Sequence, residues 1–241
     1  MDILFDLRTK FYKGKFMTTM TKQSHLINIK EPGSALTHFI ALVACIASAG
    51  PLLVRGVEHN VGLTAMVCYI IFLIGAILLY TASTCYHTFD LSPRGNQMLK
   101  KFDHMMIPML IAGTYTPASL LGLGGKAGVY LLVFVWSFAI GGMIMKLFWV
   151  NCPKWVSSVL YIGMGWSCVL AIPSLFRTLP LGGFLWLLIG GIFYTIGGVV
   201  YAFKFVLFRN RFSCFGTHEV FHLFIMAGTF CHYVFIYFYL T

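Results

Sequence analysis

The chain has 241 residues, of which 59% are hydrophobic and only 10% charged, with a mean hydropathy of +0.84. A water-soluble globule cannot cover itself with so little polar material, so these values exclude one and define a polytopic membrane protein. The net charge of +10 invites a nucleic-acid partner, but the basic residues are scattered as topology signals rather than gathered in a patch, and no nucleic-acid binding is expected.

Residues 1–30 form a basic arm. Leu4, Leu7 and Phe11 recur at helical spacing among Arg8, Lys10, Lys13 and Lys15, a pattern that fits either a short helix on an anionic leaflet or a disordered basic tail. The first apolar run follows about thirty mixed residues and lacks a small-residue cleavage pattern beyond it, so no signal peptide is expected and the arm stays attached. A helix needs roughly 20 apolar residues to cross the bilayer core. Seven stretches qualify, at 35–54, 61–86, 105–123, 128–150, 156–176, 183–203 and 218–240. Their connections are short, so residues 31–241 are expected to form a single all-α, seven-transmembrane helix bundle. Cytoplasmic segments carry the excess of Lys and Arg. With the N-terminus cytoplasmic and the C-terminus outside, fourteen basic residues fall on the inner side, and only Arg55, Lys126 and Arg177 fall outside.

Glycines cluster at Gly122/Gly124/Gly125, Gly141/Gly142, Gly163/Gly165, Gly182/Gly183, Gly190/Gly191 and Gly197/Gly198. In a bilayer such small residues let helices approach closely, and packing is their expected role. Pro108, Pro117 and Pro173 lie within or near spans, where they are expected to kink helices and open room inside the bundle. Trp149, Trp155, Tyr233, Tyr237 and Tyr239 sit near span ends as interfacial anchors. Seven cysteines show no paired spacing and read as small core residues rather than disulfides or metal ligands.

Ionisable groups at membrane depth are costly and mark a functional site by default. His87 closes the second span, Asp103 opens the third, and His218 and His222 open the seventh, so the inferred topology brings all four to the inner leaflet. Histidines four apart in a helix share one face, about 6 Å apart along the axis, and two ring nitrogens can then converge on one ion. A third histidine from another helix completes the set with which zinc keeps an open position for water. His87, His218 and His222 are therefore the expected metal ligands, with Zn2+ as the cofactor. Ser83 lies one turn before His87 on the same face, suited to a supporting hydrogen bond, with helix packing as its plainer role. Asp103 can ligate the metal or hold its water, its plainer role being a helix N-terminal carboxylate favoured by the dipole. These two are the candidate catalytic residues. The string His218-Glu219-Val220-Phe221-His222 also satisfies a metalloprotease pattern, but that pattern needs a later carboxylate ligand and no Asp or Glu follows Glu219. Glu219 instead reads as a solvated or loop-paired carboxylate. His38, His104 and His232 are weaker candidates, and His25 and His59 read as loop residues.

Three separated motifs occur in order: Ser83-Thr-Cys-Tyr-His87, then Asp103-His-Met-Met-Ile-Pro-Met-Leu-Ile-Ala-Gly-Thr-Tyr-Thr-Pro117, then His218-Glu-Val-Phe-His222-Leu-Phe. Together they resemble the haemolysin III branch of the progestin and adipoQ receptor family, from about Glu31 to the C-terminus. The resemblance implies seven spans of the same polarity, a zinc ion on His87, His218 and His222, and Asp103 and Ser83 near the metal's water. Glu31 and Thr37-His38 resemble the family's stretch before the first span, with no role attached. The wider group resembles alkaline ceramidases, which implies hydrolysis of a lipid amide or acyl bond, with membrane lipids as partners in lipid homeostasis. Two other activities are implied by relatives: a cytolytic pore, which requires a homo-oligomer or a polar lumen, and a receptor or membrane-state regulator with a structural zinc. No span shows a continuous polar face, which counts against the pore. The branch and the lack of organelle signals imply a bacterial plasma membrane.

Overall fold

A computed structural model describes residues 29–203 and 215–241. The helical pattern of the basic arm, His25 and the basic residues Lys204, Arg209 and Arg211 lie outside the described residues.

All regular structure among the described residues is helical. The elements are α1 (Pro32–Glu58), α2 (Leu63–Thr88), α3 (Pro93–Pro117) with a π-helical extension (Ala118–Leu123), α4 (Gly125–Phe148), α5 (Lys154–Gly165), a 3-10 segment (Trp166–Ala171), α6 (Ile172–Thr178), α7 (Leu181–Phe203) and α8 (Thr217–Tyr239). They make seven spans of 23 to 31 residues, each long and apolar enough to cross a bilayer. The fifth is composite, built from α5, the 3-10 segment and α6, with Pro173, expected to kink this span, in the first turn of α6.

Helices α1, α2, α3, α5, α7 and α8 pack in a closed ring, since α8 returns to α1, while α4 lies outside it against α3. The third span is the interior element: 72% of its central window is buried, against 11 to 44% for the others, which turn large apolar side chains outward. Backbone bonds from Lys30 to Thr88 and from Glu31 to His87 tie the start of α1 to the end of α2. At the same end Lys100 reaches Asn151 at 2.7 Å. The opposite end is closed by apolar packing around Tyr69, Leu175 and Phe235 and by bonds from Arg55 to Thr241 and from Tyr69 to the Leu240 carbonyl.

Two departures from regular helix are compensated by a neighbouring helix, in the way a bilayer favours. Pro108 has no N–H for the carbonyl of His104, one turn back; the Tyr161 hydroxyl donates to that carbonyl at 3.2 Å instead. Where the fifth span breaks, Tyr115 of α3 donates to the Gly165 carbonyl at 2.5 Å and accepts from the Cys168 N–H at 3.1 Å. Gly124 and Gly125 take φ of +68° and +56° in the turn into α4, a left-handed geometry that glycine adopts without Cβ strain. Those two therefore serve the turn rather than packing, and Gly141, Gly163, Gly165 and Gly191 face open space. Other glycines do pack as expected: a Cβ on Gly190 would sit 2.7 Å from the His232 ring.

Candidate metal centre

At the end of the bundle where α1 and α8 begin and α2 ends, three imidazoles meet. His87 comes from the last turn of α2, and His218 and His222 from the first two turns of α8. One donor nitrogen from each lies within 4.8 Å of the other two. His87 and His222 are buried, at 2% and 1% exposure.

The surrounding hydrogen bonds fix which nitrogens face inward. Nδ1 of His87 donates to Glu31 Oε2 at 2.5 Å. Nδ1 of His222 lies 3.0 Å from Thr37 Oγ1, and the Thr37 hydroxyl proton is already given to the Ser34 carbonyl at 2.9 Å. The threonine oxygen must therefore accept, which makes His222 Nδ1 the donor. Both rings are left with a bare Nε2, the form a metal takes, and carboxylate or hydroxyl partners on the remote nitrogen are what ligating histidines usually carry. His87 Nε2 stands 3.3 Å from His218 Nε2. Two ligands on a tetrahedral ion with bonds of about 2.0–2.1 Å are separated by about 3.3–3.4 Å, so the donor set, and the spacing of this pair, fit zinc.

Asp103 and Ser83 stand beside this group rather than in it. Asp103 is 8% exposed and lies ten residues past the start of α3, which begins at Pro93. It is thus not the helix N-terminal carboxylate that a span starting at 105 made plausible. Its Oδ2 lies 3.2 Å from His104 Nδ1, and it is not among the converging donors. Ser83 Oγ is buried without a hydrogen-bond partner, so it does not brace His87; Glu31 occupies that position. His38, weak on sequence grounds, stacks on His222 with ring centroids 3.5 Å apart and both of its nitrogens unpartnered.

Glu219 points away from the imidazoles. Its Oε2 accepts from the Gly216 N–H at 2.7 Å, capping α8, and its Oε1 accepts from the Ser34 hydroxyl. This is the loop-paired carboxylate, with no role resembling a protease base. Glu31 and Thr37 were given no role from sequence, because they reach their histidines from 56 and 185 residues away, beyond any local spacing rule.

A cavity of about 160 Å³ leads inward from the imidazoles. His218, His222, Asp103 and Ser83 line its polar end, and its walls turn apolar toward Leu175, Phe184 and Leu187 in the far half of the bundle. A polar, metal-competent mouth on a largely apolar chamber suits a ligand with one reactive end and a long apolar remainder.

The fold and site together define a multi-pass helical membrane protein with an intramembrane three-histidine cluster. Residues 26–233 match the family described as "Haemolysin-III related". The chain belongs to that family, as a member of the haemolysin III branch of the progestin and adipoQ receptors. It is similar to Hemolysin-3 of Bacillus cereus, 33% identical over 210 residues that cover 87% of this chain and 91% of the relative. Similarity to the Hemolysin-3 homolog of Bacillus subtilis is also 33%, over 205 residues covering 85% and 92%. The human Monocyte to macrophage differentiation factor is 29% identical over 138 residues, 57% of this chain and 54% of that protein.

Proposed function

We propose that His87, His218 and His222 hold a zinc ion and that the protein hydrolyses an amide- or ester-linked membrane lipid, serving lipid homeostasis in a bacterial plasma membrane. The observation that carries this reading is the convergence of three histidine nitrogens within 4.8 Å at the polar end of an otherwise apolar cavity. Zinc held by three histidines supplies Lewis acidity toward an acyl carbonyl and acidifies water toward neutral pH.

The chain's own groups supply the remaining chemistry. Asp103, at the cavity mouth, accepts the proton that water loses as it attacks the acyl carbon, and His104 lies 3.2 Å behind it to take up the change in charge. The unpartnered Ser83 hydroxyl is available to donate to an oxygen that gains charge during the reaction. Glu31 and Thr37 orient their imidazoles. The apolar chamber holds the acyl chain and keeps bulk water out. The charge bias of the connections assigns this end of the bundle to the cytoplasmic leaflet.

The name of the Bacillus relatives raises cytolysis, but the chamber's walls are mostly apolar and give ions no continuous polar lining. A zinc that only fastens α1, α2 and α8 in a membrane-state regulator is the remaining alternative, favoured by the bonds that draw α1 into the cluster. Reconstitution into liposomes that carry a fluorescent dye and an amide-linked lipid separates the three. Hydrolysis gives free fatty acid by mass spectrometry without dye release, and the product disappears in His218→Ala. Dye release without product would establish the pore, and neither signal from zinc-loaded protein would leave the structural metal.

A further inference from the structure

Lys146, in the last turn of α4, is 1% exposed, and no carboxylate pairs with it among the described residues. Its Nζ donates to Cys152 Sγ at 3.0 Å and to Ser157 Oγ at 2.5 Å, and the sulfur and hydroxyl are themselves 3.3 Å apart. A buried ammonium requires a compensating charge. Of the two groups it touches, only the thiol is readily ionised to an anion. Cys152 lies in the connection between α4 and α5, outside the spans, where burial raises a thiol's pKa. Hydrogen bonds from Ser157 and Lys146 and the Lys146 charge outweigh that burial and hold the thiol below its ordinary range. The trio thus places a thiol of lowered pKa against an amine, two nucleophiles within bonding reach once one is oxidised.

We propose that Lys146, Cys152 and Ser157 form an oxidant-reactive centre in which hydrogen peroxide joins Cys152 to Lys146 through a sulfur–nitrogen bond. The Cys152 thiolate attacks one peroxide oxygen. The sulfur–oxygen bond forms, the oxygen–oxygen bond breaks, and hydroxide leaves. Sulfur is oxidised by two electrons and the peroxide reduced by two. Hydroxide takes a proton from the Lys146 ammonium and becomes water. The freed amine then attacks the sulfenic sulfur and a second water departs, giving a sulfenamide; condensation of sulfenic acid with a nearby nitrogen is a known step of thiol oxidation. Ser157 donates to the thiolate and accepts from the ammonium, so it sets both groups in line. The product clamps the α4–α5 connection onto α4 until a thiol reductant cleaves it.

The full-length protein in lipid nanodiscs is treated with hydrogen peroxide, digested with trypsin and read by peptide mass spectrometry. Cys152 should oxidise about tenfold faster than the partly exposed Cys85 and Cys168, as thiolate character requires. The product should lack two hydrogens, resist cleavage after Lys146, and regain both on reduction. Lys146→Met should abolish the link and slow oxidation of Cys152, read by sulfenic-acid trapping. If that variant does not fold, the wild-type rates and mass decide alone. Cys152 oxidising no faster than Cys85 and Cys168, or oxidising without the two-hydrogen loss, would overturn the proposal.

Discussion

His87 and His222 present Nε2 because Glu31 and Thr37 hold their Nδ1 atoms, and the metal affinity of the site should depend on those partners. Glu31→Gln and Thr37→Val are each expected to weaken zinc binding by about 10- to 100-fold, the usual effect of removing the group behind a ligating imidazole. Competition with a chromophoric chelator measures it, and unchanged affinity in both variants would show that neither residue orients a ligand. Glu219→Ala should keep the zinc, since its oxygens serve Gly216 and Ser34, and should cost about 1 kcal/mol as a lost helix cap. Acidification should strip the metal, because a ligating imidazole must be free of its proton there. The clustering of the histidines was legible in sequence because a helix converts the interval from His218 to His222 into proximity. The bracing residues were not, since tertiary packing alone brings Glu31 to α2 and Thr37 to α8. Asp103 was visible as an ionisable group at membrane depth, but the charges of Arg94, Lys100 and Lys101 disguised the true start of its helix.

At Pro108 and at the break in the fifth span a neighbouring helix satisfies the freed backbone. All seven spans were readable from the length of their apolar runs, and Pro173 was readable as a perturbation of the fifth, where it opens α6; the residue that stabilises the break, Tyr115, was not, because it belongs to α3. Pro108 was readable as a perturbation; its compensation by Tyr161 was not. Tyr115→Phe should expose the difference. It removes one partner from the Gly165 carbonyl and one from the Cys168 N–H, at about 0.5–1.5 kcal/mol for each lost hydrogen bond. Thermal unfolding in detergent should therefore show a clear loss of stability in this variant, and none in Tyr130→Phe, whose side chain is 71% exposed. Equal midpoints for the two variants would mean that water, rather than α3, stabilises the break.

For the molecule as a whole, a ring of helices surrounds a chamber with one polar end, and the distribution of the seventeen basic residues predicts that this end faces the cytoplasmic leaflet. A periplasmic reporter fused after Thr241 should be active, and one inserted in the 94–101 connection should be silent; the reverse pattern would move the metal centre to the outer leaflet. Whether the chamber is a reaction vessel turns on Asp103, which lies at its mouth without belonging to the converging imidazoles. The deciding measurement is the rate of fatty-acid release from an amide-linked lipid by zinc-loaded wild type and by Asp103→Asn, at matched zinc content and unfolding temperature. The carboxamide keeps the size and most of the hydrogen bonding but removes the base, so the rate should fall by about two to four orders of magnitude. Release at the wild-type rate from the folded, zinc-loaded variant would contradict the hydrolytic role of this site.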